Sequence, residues 1–525
     1  MSAGIEDGGT TEEPLGEFER RRSAIRTQMG GADRIDRLHA GGARTARERL
    51  NALLDQDSFS ELGTFAASSR PEDRTTTPGD GRIVGFGYID GRPVGVAADD
   101  ATVRGASAAT VNIRKIDRVF QASAKAGHPF VYLGETRGSR IPDSLGSEGL
   151  SEVSGEAVTW TRRMRRMPMA TVITGPSFGG SSFIAAMSDL VIQIEGTCLA
   201  VASPRVIEAA TGEKTTFEEL GGTEVHSFVT GEIDVAASDE GQALTFVHRW
   251  LSFLPSNNEQ SPPRATSVDP PGRQPVSQIV PGERRRGYDM RRLVSELVDG
   301  GDFLELKPHF GPGLVTGLAR IDGWPVGILA SNPMFQAGTL DPNACDKGTR
   351  LLCLCDAFNL PVILLHDSPG FLVGKQVEHN RLINKTILFL QALMQLTVPR
   401  LSVIVRKSYG LSYTSLGGAG TESDLLVAWP GAEIGFMDPD VAANVLYGDT
   451  LSALHGEPKA TKLGELATGL RRDNQPYSAA ASMALDEVIH PDETRTVLAE
   501  TLARWSGRTP PPPSARPLTA WPTSW

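Results

Sequence analysis

Along most of the chain, short continuous apolar runs alternate with longer stretches in which apolar residues return every three or four positions. The first pattern predicts buried strands and the second amphipathic helices. IVGFGYIDGRPVGVAADD (83–100) reads as two strands joined at Asp90-Gly91, a dipeptide that supplies the positive φ of a tight hairpin. ATVNIRKIDRVFQASAKAG (109–127) has helical spacing and ends at a glycine. FVYLGE (130–135) and MATVITG (169–175) read as further buried strands. Strands alternating with helices favour a mostly parallel sheet with crossover helices, an α/β class.

The same pattern occurs twice. Ile89-Asp90-Gly91-Arg92-Pro93-Val94-Gly95 recurs 232 positions later as Ile321-Asp322-Gly323-Trp324-Pro325-Val326-Gly327. That offset also pairs Pro129 with Pro361, Gly138 with Gly370, and TVIT (171–174) with VIVR (403–406). Farther on it becomes 235, where Ser188-Asp189-Leu190 meets Ser423-Asp424-Leu425 and Pro204 meets Pro439. A collinear series of this kind indicates duplication of one large domain. The expected organisation is a flexible segment over 1–35, domains over 36–262 and 285–505, and a linker over 263–284 within a Pro-, Ser- and Gln-rich stretch. Residues 506–525 form a proline-rich tail.

Acidic residues outnumber basic ones by 63 to 52, a net charge of −11, which argues against nucleic acid or an anionic membrane surface as a partner. Cys198, Cys345, Cys353 and Cys355 form no CxxC pair and read as reduced, buried thiols. The acidic start lacks an apolar signal core, and no run of about 18 apolar residues occurs, so a cytoplasmic protein is expected. No His, Cys, Asp and Glu cluster has metal-ligand spacing, and no metal is expected.

Two glycine turns follow buried strands in the first half: Thr136-Arg137-Gly138-Ser139-Arg140, and Gly175-Pro176-Ser177-Phe178-Gly179-Gly180, which leads into SSFIAAM. A strand, a glycine turn and a helix N-terminus present free backbone N–H groups, able to hold an oxyanion. At offset 232, Gly179-Gly180 falls on Leu411-Ser412, again in a glycine-containing turn after a strand. Two such turns suit a reaction with two carbonyl oxygens to stabilise. Gly175 to Gly179 also satisfies the G-x-S-x-G of a hydrolase elbow. Against it, offset 232 places Tyr409, not serine, opposite Ser177. Glu378-His379 and the arginine runs TRRMRRM (161–167) and ERRRG (283–287) read as solvated surface more readily than as site residues.

At these residues the chain resembles the carboxyltransferase (β) subunits of biotin-dependent acyl-CoA carboxylases, of the propionyl-CoA and acetyl-CoA type. The resemblance rests on RTARERL (44–50), TGEKTTFEELGG (211–222), LPSNN (254–258), YDMR (288–291), DSPGF (367–371), VPR (398–400), RKSYG (406–410) and AWPGAEIGFMDP (428–439). It implies two tandem crotonase-like domains, with an active site between the N-half of one subunit and the C-half of another, usually in a hexamer. The N-half would hold the acyl-CoA and the C-half the biotin of a separate biotinylated carboxylase or carrier subunit. The carboxyl group would pass as CO₂ to the enolate of the thioester. Carried over by position, Gly179 and Gly180 would face the thioester oxygen, and Leu411 and Ser412 the biotin ureido oxygen. Arg137, Gly138, Ser139, Phe178, Gly370, Phe371 and Thr414 would line the substrate sites. Arg44 and Arg47 are assigned to CoA from the opening motif.

The chain departs from the family pattern in two turns. Arg137 replaces a glycine of Ser-Gly-Gly-Ala-Arg, and Leu411 a glycine of Tyr-Gly-Gly-Ala-Tyr, while Thr414 stands where Asp is usual. No Lys stands between two Met residues, so biotin is expected on another protein. The expected function is carboxyl transfer from carboxybiotin to the α-carbon of an acyl-CoA. The alternatives are a decarboxylase of a malonyl-type CoA, a biotin-independent acyl-CoA enzyme on the same fold, and a non-catalytic assembly subunit.

Overall fold

The computed structural model describes residues 12–162, 165–505 and 507–521. It contains two sheets. The first comprises β1 (Ser60–Leu62), β2 (Arg82–Ile89), β3 (Arg92–Asp99), β4 (Phe130–Thr136), β5 (Met169–Phe178), β6 (Leu190–Ile194), β7 (Leu199–Ala200) and β8 (Val235–Ala237). Its order is β1-β2-β3-β4-β5-β6-β8, with β7 beside the end of β5. The second comprises β9 (Phe303–Leu306), β10 (Leu314–Ile321), β11 (Trp324–Ser331), β12 (Val362–Ser368), β13 (Arg400–Tyr409), β14 (Leu425–Ala428), β15 (Glu433–Gly435) and β16 (Glu487–Val488). Its order is β16-β14-β13-β12-β11-β10-β9, with β15 beside β13. In each sheet three strands, β1-β2-β3 and β9-β10-β11, form the antiparallel edge, and pairing is parallel from β3 to β6 and from β11 to β14.

The duplication is visible strand by strand. β2, β3 and β4 shifted by 232 residues coincide with β10, β11 and β12, and the bridge Ala108–Ser139 coincides with Leu340–Phe371. At β5 the shift is 231, since Met169–Phe178 coincides with Arg400–Tyr409, and from β6 it is 235, since Leu190 coincides with Leu425. The shift at β5 corrects the pairing of TVIT with VIVR by one residue. Thr171 matches Ser402, and each hydroxyl lies against its matched serine, Ser188 at 2.7 Å and Ser423 at 3.5 Å.

Local chemistry accounts for the elements. The hairpin turns have positive φ at both central residues, 51° and 75° at Asp90-Gly91 and 50° and 76° at Asp322-Gly323. In each, an upstream carboxylate accepts both turn N–H groups: Asp55 at 3.0 and 2.8 Å, and Asp299 at 2.9 and 2.7 Å. The helix Thr110–Ala126 starts where Asn112 Oδ1 accepts the Ala109 N–H, and stops at Gly127 in the left-handed conformation. β5 and β13 are buried along nearly their whole length, as central parallel strands require.

The chain separates into two compact units. One comprises Met1–Arg163, Met169–Val225 and Ala236–His248; the other comprises Met164–Pro168, His226–Val235 and Arg249–Trp525. In the first, the helices Glu12–Gln28 and Ala32–Ala40 precede the sheet, and Arg34 donates to Thr102 O at 2.7 Å. In the second, the segment before β9 is tied down through Ala265 N–H to Gly323 O and Ser277 N–H to Asp492. The proline-rich tail packs in the same unit. Arg165, expected on a solvated face, is buried and donates to Leu518 O and Trp521 O at 2.8 and 2.9 Å. All four cysteines are free and buried. No helix among the described residues is long and apolar enough to cross a membrane.

Candidate active site

The N-half turn is made by the ends of two neighbouring strands. After β4, Arg137 N–H donates to Gly105 O and Gly138 takes φ 94°. After β5, Gly179 takes φ 64° and ψ −125°, and the helix Gly180–Met187 begins. The two turns touch: a Cβ built on Gly179 would lie 3.8 Å from Gly138 Cα. Most backbone groups here are already used. Gly138 N–H donates to Thr136 Oγ1 (3.3 Å), Gly179 N–H to Val201 O (3.0 Å) and Ala108 N–H to Gly138 O (2.8 Å). The N–H groups of Ser139 and Gly180, one on each turn, have no partner among the described residues. Two open donors on adjoining turns are what stabilisation of an oxyanion needs.

The C-half repeats the arrangement. Leu340 N–H donates to Gly370 O (3.1 Å), Gly370 N–H to Ser368 Oγ (3.2 Å) and Gly410 N–H to Gly435 O (2.9 Å). Gly410 has φ 56° and ψ −142°, and the helix Leu411–Ser415 follows. A Cβ on Gly370 would lie 3.9 Å from Tyr409 O, so these turns also adjoin. Phe371 and Leu411 keep N–H groups without partners among the described residues, as does Ser412 one position farther on.

Three sequence readings change here. First, Gly179 matches Gly410 and Gly180 matches Leu411. Offset 232 runs one residue too far, because the slip lies between β4 and β5. Second, Gly179's own N–H is committed to Val201, so Ser139 rather than Gly179 is the available companion of Gly180. Third, Ser177 does have a serine opposite it, Ser408. Even so, Ser177 lies within β5, fully buried, and its hydroxyl donates to Gly134 O at 3.1 Å. The strained residue is Gly179, so no serine stands at an elbow.

The remaining expected residues are placed as follows. Phe178 is buried, 5.8 Å from the Phe217 ring. Arg137 is exposed. Thr414 is part-buried on the short helix after Gly410. Arg47 is paired to both oxygens of Glu61 at 3.0 Å, whereas Arg44 is half-exposed and 3.9 Å from Glu240. Glu378 and His379 are exposed on the helix Lys375–His379. Among the described residues no group of three or more His, Cys, Asp or Glu side chains is placed to hold a metal ion.

Sequence reasoning missed the ionic scaffolds behind the turns. Arg140 pairs with buried Asp80 at 2.7 Å, and Asp80 also accepts the Asn112 N–H at 3.0 Å. Behind the C-half turn, Arg406 pairs with fully buried Asp367 at 3.0 Å and also donates to Arg286 O. Arg284 meets Glu433 at 3.0 Å, Asp438 at 2.6 Å and the Tyr409 hydroxyl at 3.0 Å. Burial lowers the Lys407 ammonium and pushes His366 down to about 4. Within ERRRG nothing marked Arg284, because its partners stand more than a hundred residues away in sequence.

Comparison with known proteins places the chain in a family. The carboxyl transferase domain model matches residues 37–515. The methylmalonyl-CoA carboxyltransferase 12S subunit of Propionibacterium freudenreichii subsp. shermanii is 36% identical over 488 residues, covering 91% of each chain. The propionyl-CoA carboxylase carboxyltransferase subunit of Haloferax mediterranei is 37% identical over 504 residues, covering 94% of this chain and 96% of its own. The crystal structure of transcarboxylase 12S, described as a hexamer assembly with methylmalonyl-coenzyme A bound, superposes with a TM-score of 0.88. It is 34% identical and covers 96% of this chain and 98% of that one.

Proposed function

The chain belongs to the carboxyl transferase domain family, and from that membership we propose how its two turns divide the work of moving a carboxyl group from biotin to the α-carbon of an acyl-CoA. The observation that carries the reading is the pair of matched turns with open N–H donors at equivalent positions, Ser139 and Gly180 in one and Phe371 and Leu411 in the other. In the N-half, Ser139 and Gly180 would hold the thioester oxygen. Enolisation places negative charge there, and fixed donors stabilise that charge without reorganising. In the C-half, Phe371 and Leu411 would hold the ureido oxygen of biotin. Biotin, when bound in its N-carboxylated form, would supply both the carboxyl group, released as CO₂, and the base that takes the α-proton once the N–CO₂ bond has broken. The chain itself contributes position and charge stabilisation; aligning reactants can remove about 7–11 kcal/mol of barrier.

The departure at Leu411 does not count against this reading. The residue whose backbone demands glycine is Gly410, at φ 56° and ψ −142°, while Leu411 occupies the first helical position with an ordinary negative φ. The ionic scaffolds of Asp80 and Asp367 would keep the turns in place. A biotinylated partner subunit, an oligomer such as a hexamer, and a cytoplasmic setting complete the proposal.

The test is affinity purification of the tagged protein from its own host, with the eluate probed by streptavidin. The eluate then receives ATP, labelled bicarbonate and a panel of acyl-CoAs. The expected result is a co-eluting biotinylated chain and label fixed into an acyl-CoA. Binding of CoA thioesters with no biotinylated partner and no fixed label would overturn it.

A further inference from the structure

The duplicated halves differ beside the N-half turn in a way that bears on substrate choice. At the left-handed residue of the loop after β3, Gly105 (φ 61°) is matched by Ala337 (φ 59°). On the strand-end turn facing it, Arg137 is matched by Pro369. The rest of the loop corresponds: Ala106 N–H to Val103 O repeats as Gly338 N–H to Phe335 O, and Ala108 N–H to Gly138 O repeats as Leu340 N–H to Gly370 O. The backbone conformation itself does not require glycine, since Ala337 holds it.

What a methyl at position 105 would meet is the arginine. A Cβ on Gly105 would lie 2.8 Å from Arg137 Cδ, 3.1 Å from Cγ and 3.3 Å from Nε. The stem of Arg137 therefore lies on the bare backbone of Gly105, and the two residues form one coupled difference between the halves. The guanidinium makes no ion pair and no side-chain hydrogen bond among the described residues, and Arg137 is exposed. Nearby Arg140 and Arg104 are occupied with Asp80 and Asp73, at 2.7 and 3.1 Å.

We propose that Arg137 recognises a carboxylate on the acyl part of a CoA thioester, which makes it a specificity-determining residue of the N-half; this rests on the reading of that turn as the thioester site. Two arguments identify the ligand. A guanidinium fork matches a carboxylate in a bidentate pair. Arg137 also lies two residues from Ser139, so their Cα atoms are at most about 7.6 Å apart. An acyl carboxylate lies within a few bonds of the thioester carbonyl, whereas the CoA phosphates are a pantetheine length away.

Calorimetric titration of the full-length protein with malonyl-CoA, succinyl-CoA, acetyl-CoA and CoA tests this, using the wild type, Arg137→Gly, Arg137→Lys and Gly105→Ala. Arg137→Gly should weaken malonyl-CoA or succinyl-CoA at least tenfold relative to acetyl-CoA, the more affected ligand locating the carboxylate. CoA itself should change less than threefold, and Arg137→Lys should recover part of the loss. Gly105→Ala should lose the same selectivity with Arg137 still present, because the new methyl displaces its stem. An equal loss on CoA would assign Arg137 to phosphate and overturn the proposal, as would malonyl-to-acetyl and succinyl-to-acetyl ratios that both stay unchanged. If the wild type bound none of these thioesters, the thioester-site reading itself would fall. Intact wild-type binding with unchanged selectivity would remove only the role of Arg137.

Discussion

Gly180→Pro isolates one backbone donor from everything else at the site. Gly180 is the first residue of an eight-residue helix, a position where proline is well tolerated because its N–H would have no helical partner. Its N–H makes no bond among the described residues, so the fold loses no hydrogen bond. A Cβ built there meets nothing within 4 Å, so the site has room for a side chain. The change in stability should therefore stay within about 1 kcal/mol, helped by the stiffer unfolded chain. Loss of one oxyanion donor should lower kcat by about 100- to 1,000-fold, or about 2.7–4 kcal/mol of transition-state stabilisation. Gly180→Ala, which keeps the N–H, should retain activity within a few-fold. The assay is carboxylation by the complex reconstituted with its biotinylated partner, with thermal unfolding and oligomer size measured alongside. A folded Gly180→Pro variant with kcat within threefold of wild type would refute the donor assignment.

Leu411→Pro applies the same reasoning to the C-half: carboxyl transfer involving biotin should fall about 100-fold, while acyl-CoA affinity by calorimetry stays unchanged. A matching loss of acyl-CoA affinity would show that the turns are not divided as proposed. Asp367→Ala leaves Arg406 buried without its partner and should cost about 3–5 kcal/mol, read as a lower Tm and denaturation midpoint. A Tm unchanged within a degree would contradict that account. Lys347 is buried with no partner for Nζ among the described residues, and burial pulls its ammonium down to about 7. An unfolded lysine titrates near 10.4, so between these values the unfolded chain binds more protons and stability rises with pH. The cost of burying Lys347 is thus complete below about pH 7 and fades towards pH 10. Lys347→Met should raise Tm, by more at pH 7 than at pH 9.5; an equal gain at both would show that burial of charge is not the cause.

The strand and hairpin pattern was legible because it depends on local periodicity and on turn residues. Asp90-Gly91 and Asp322-Gly323 announce positive φ, and the buried strands announce themselves by length and apolarity. Which N–H groups remain open was not legible. Gly179 looks like a donor in sequence, yet its N–H is taken by Val201, and Ser139 is available only because the bridge to Ala108 does not use it. The ionic scaffolds were hidden for the same reason: Arg284 and Arg406 are recognised by their partners, and those partners come together only in the folded unit.

The one-residue slip between β4 and β5 carries the larger lesson for this fold. With offset 232, Leu411 stands opposite Gly179 and the C-half turn seems to have lost its strained glycine. With the shift of 231 seen in the backbone, Gly410 stands opposite Gly179, and both take a positive φ with strongly negative ψ. Only that residue is bound to be glycine by its conformation. The next residue presents an open N–H from a helical position and can carry any side chain that fits the space around it. A leucine there alters what surrounds the ligand without touching the hydrogen bond that would stabilise its oxygen. In the N-half, the proposed role of Arg137, packed on Gly105, would likewise change the lining of the site while the donors stay in register. On the proposed reading the atoms that stabilise charge lie in the main chain, and selectivity falls to the side chains beside them. On the proposed division of the turns, acyl-CoA preference would shift at Arg137 and the fit of biotin at Leu411, without loss of the backbone donors.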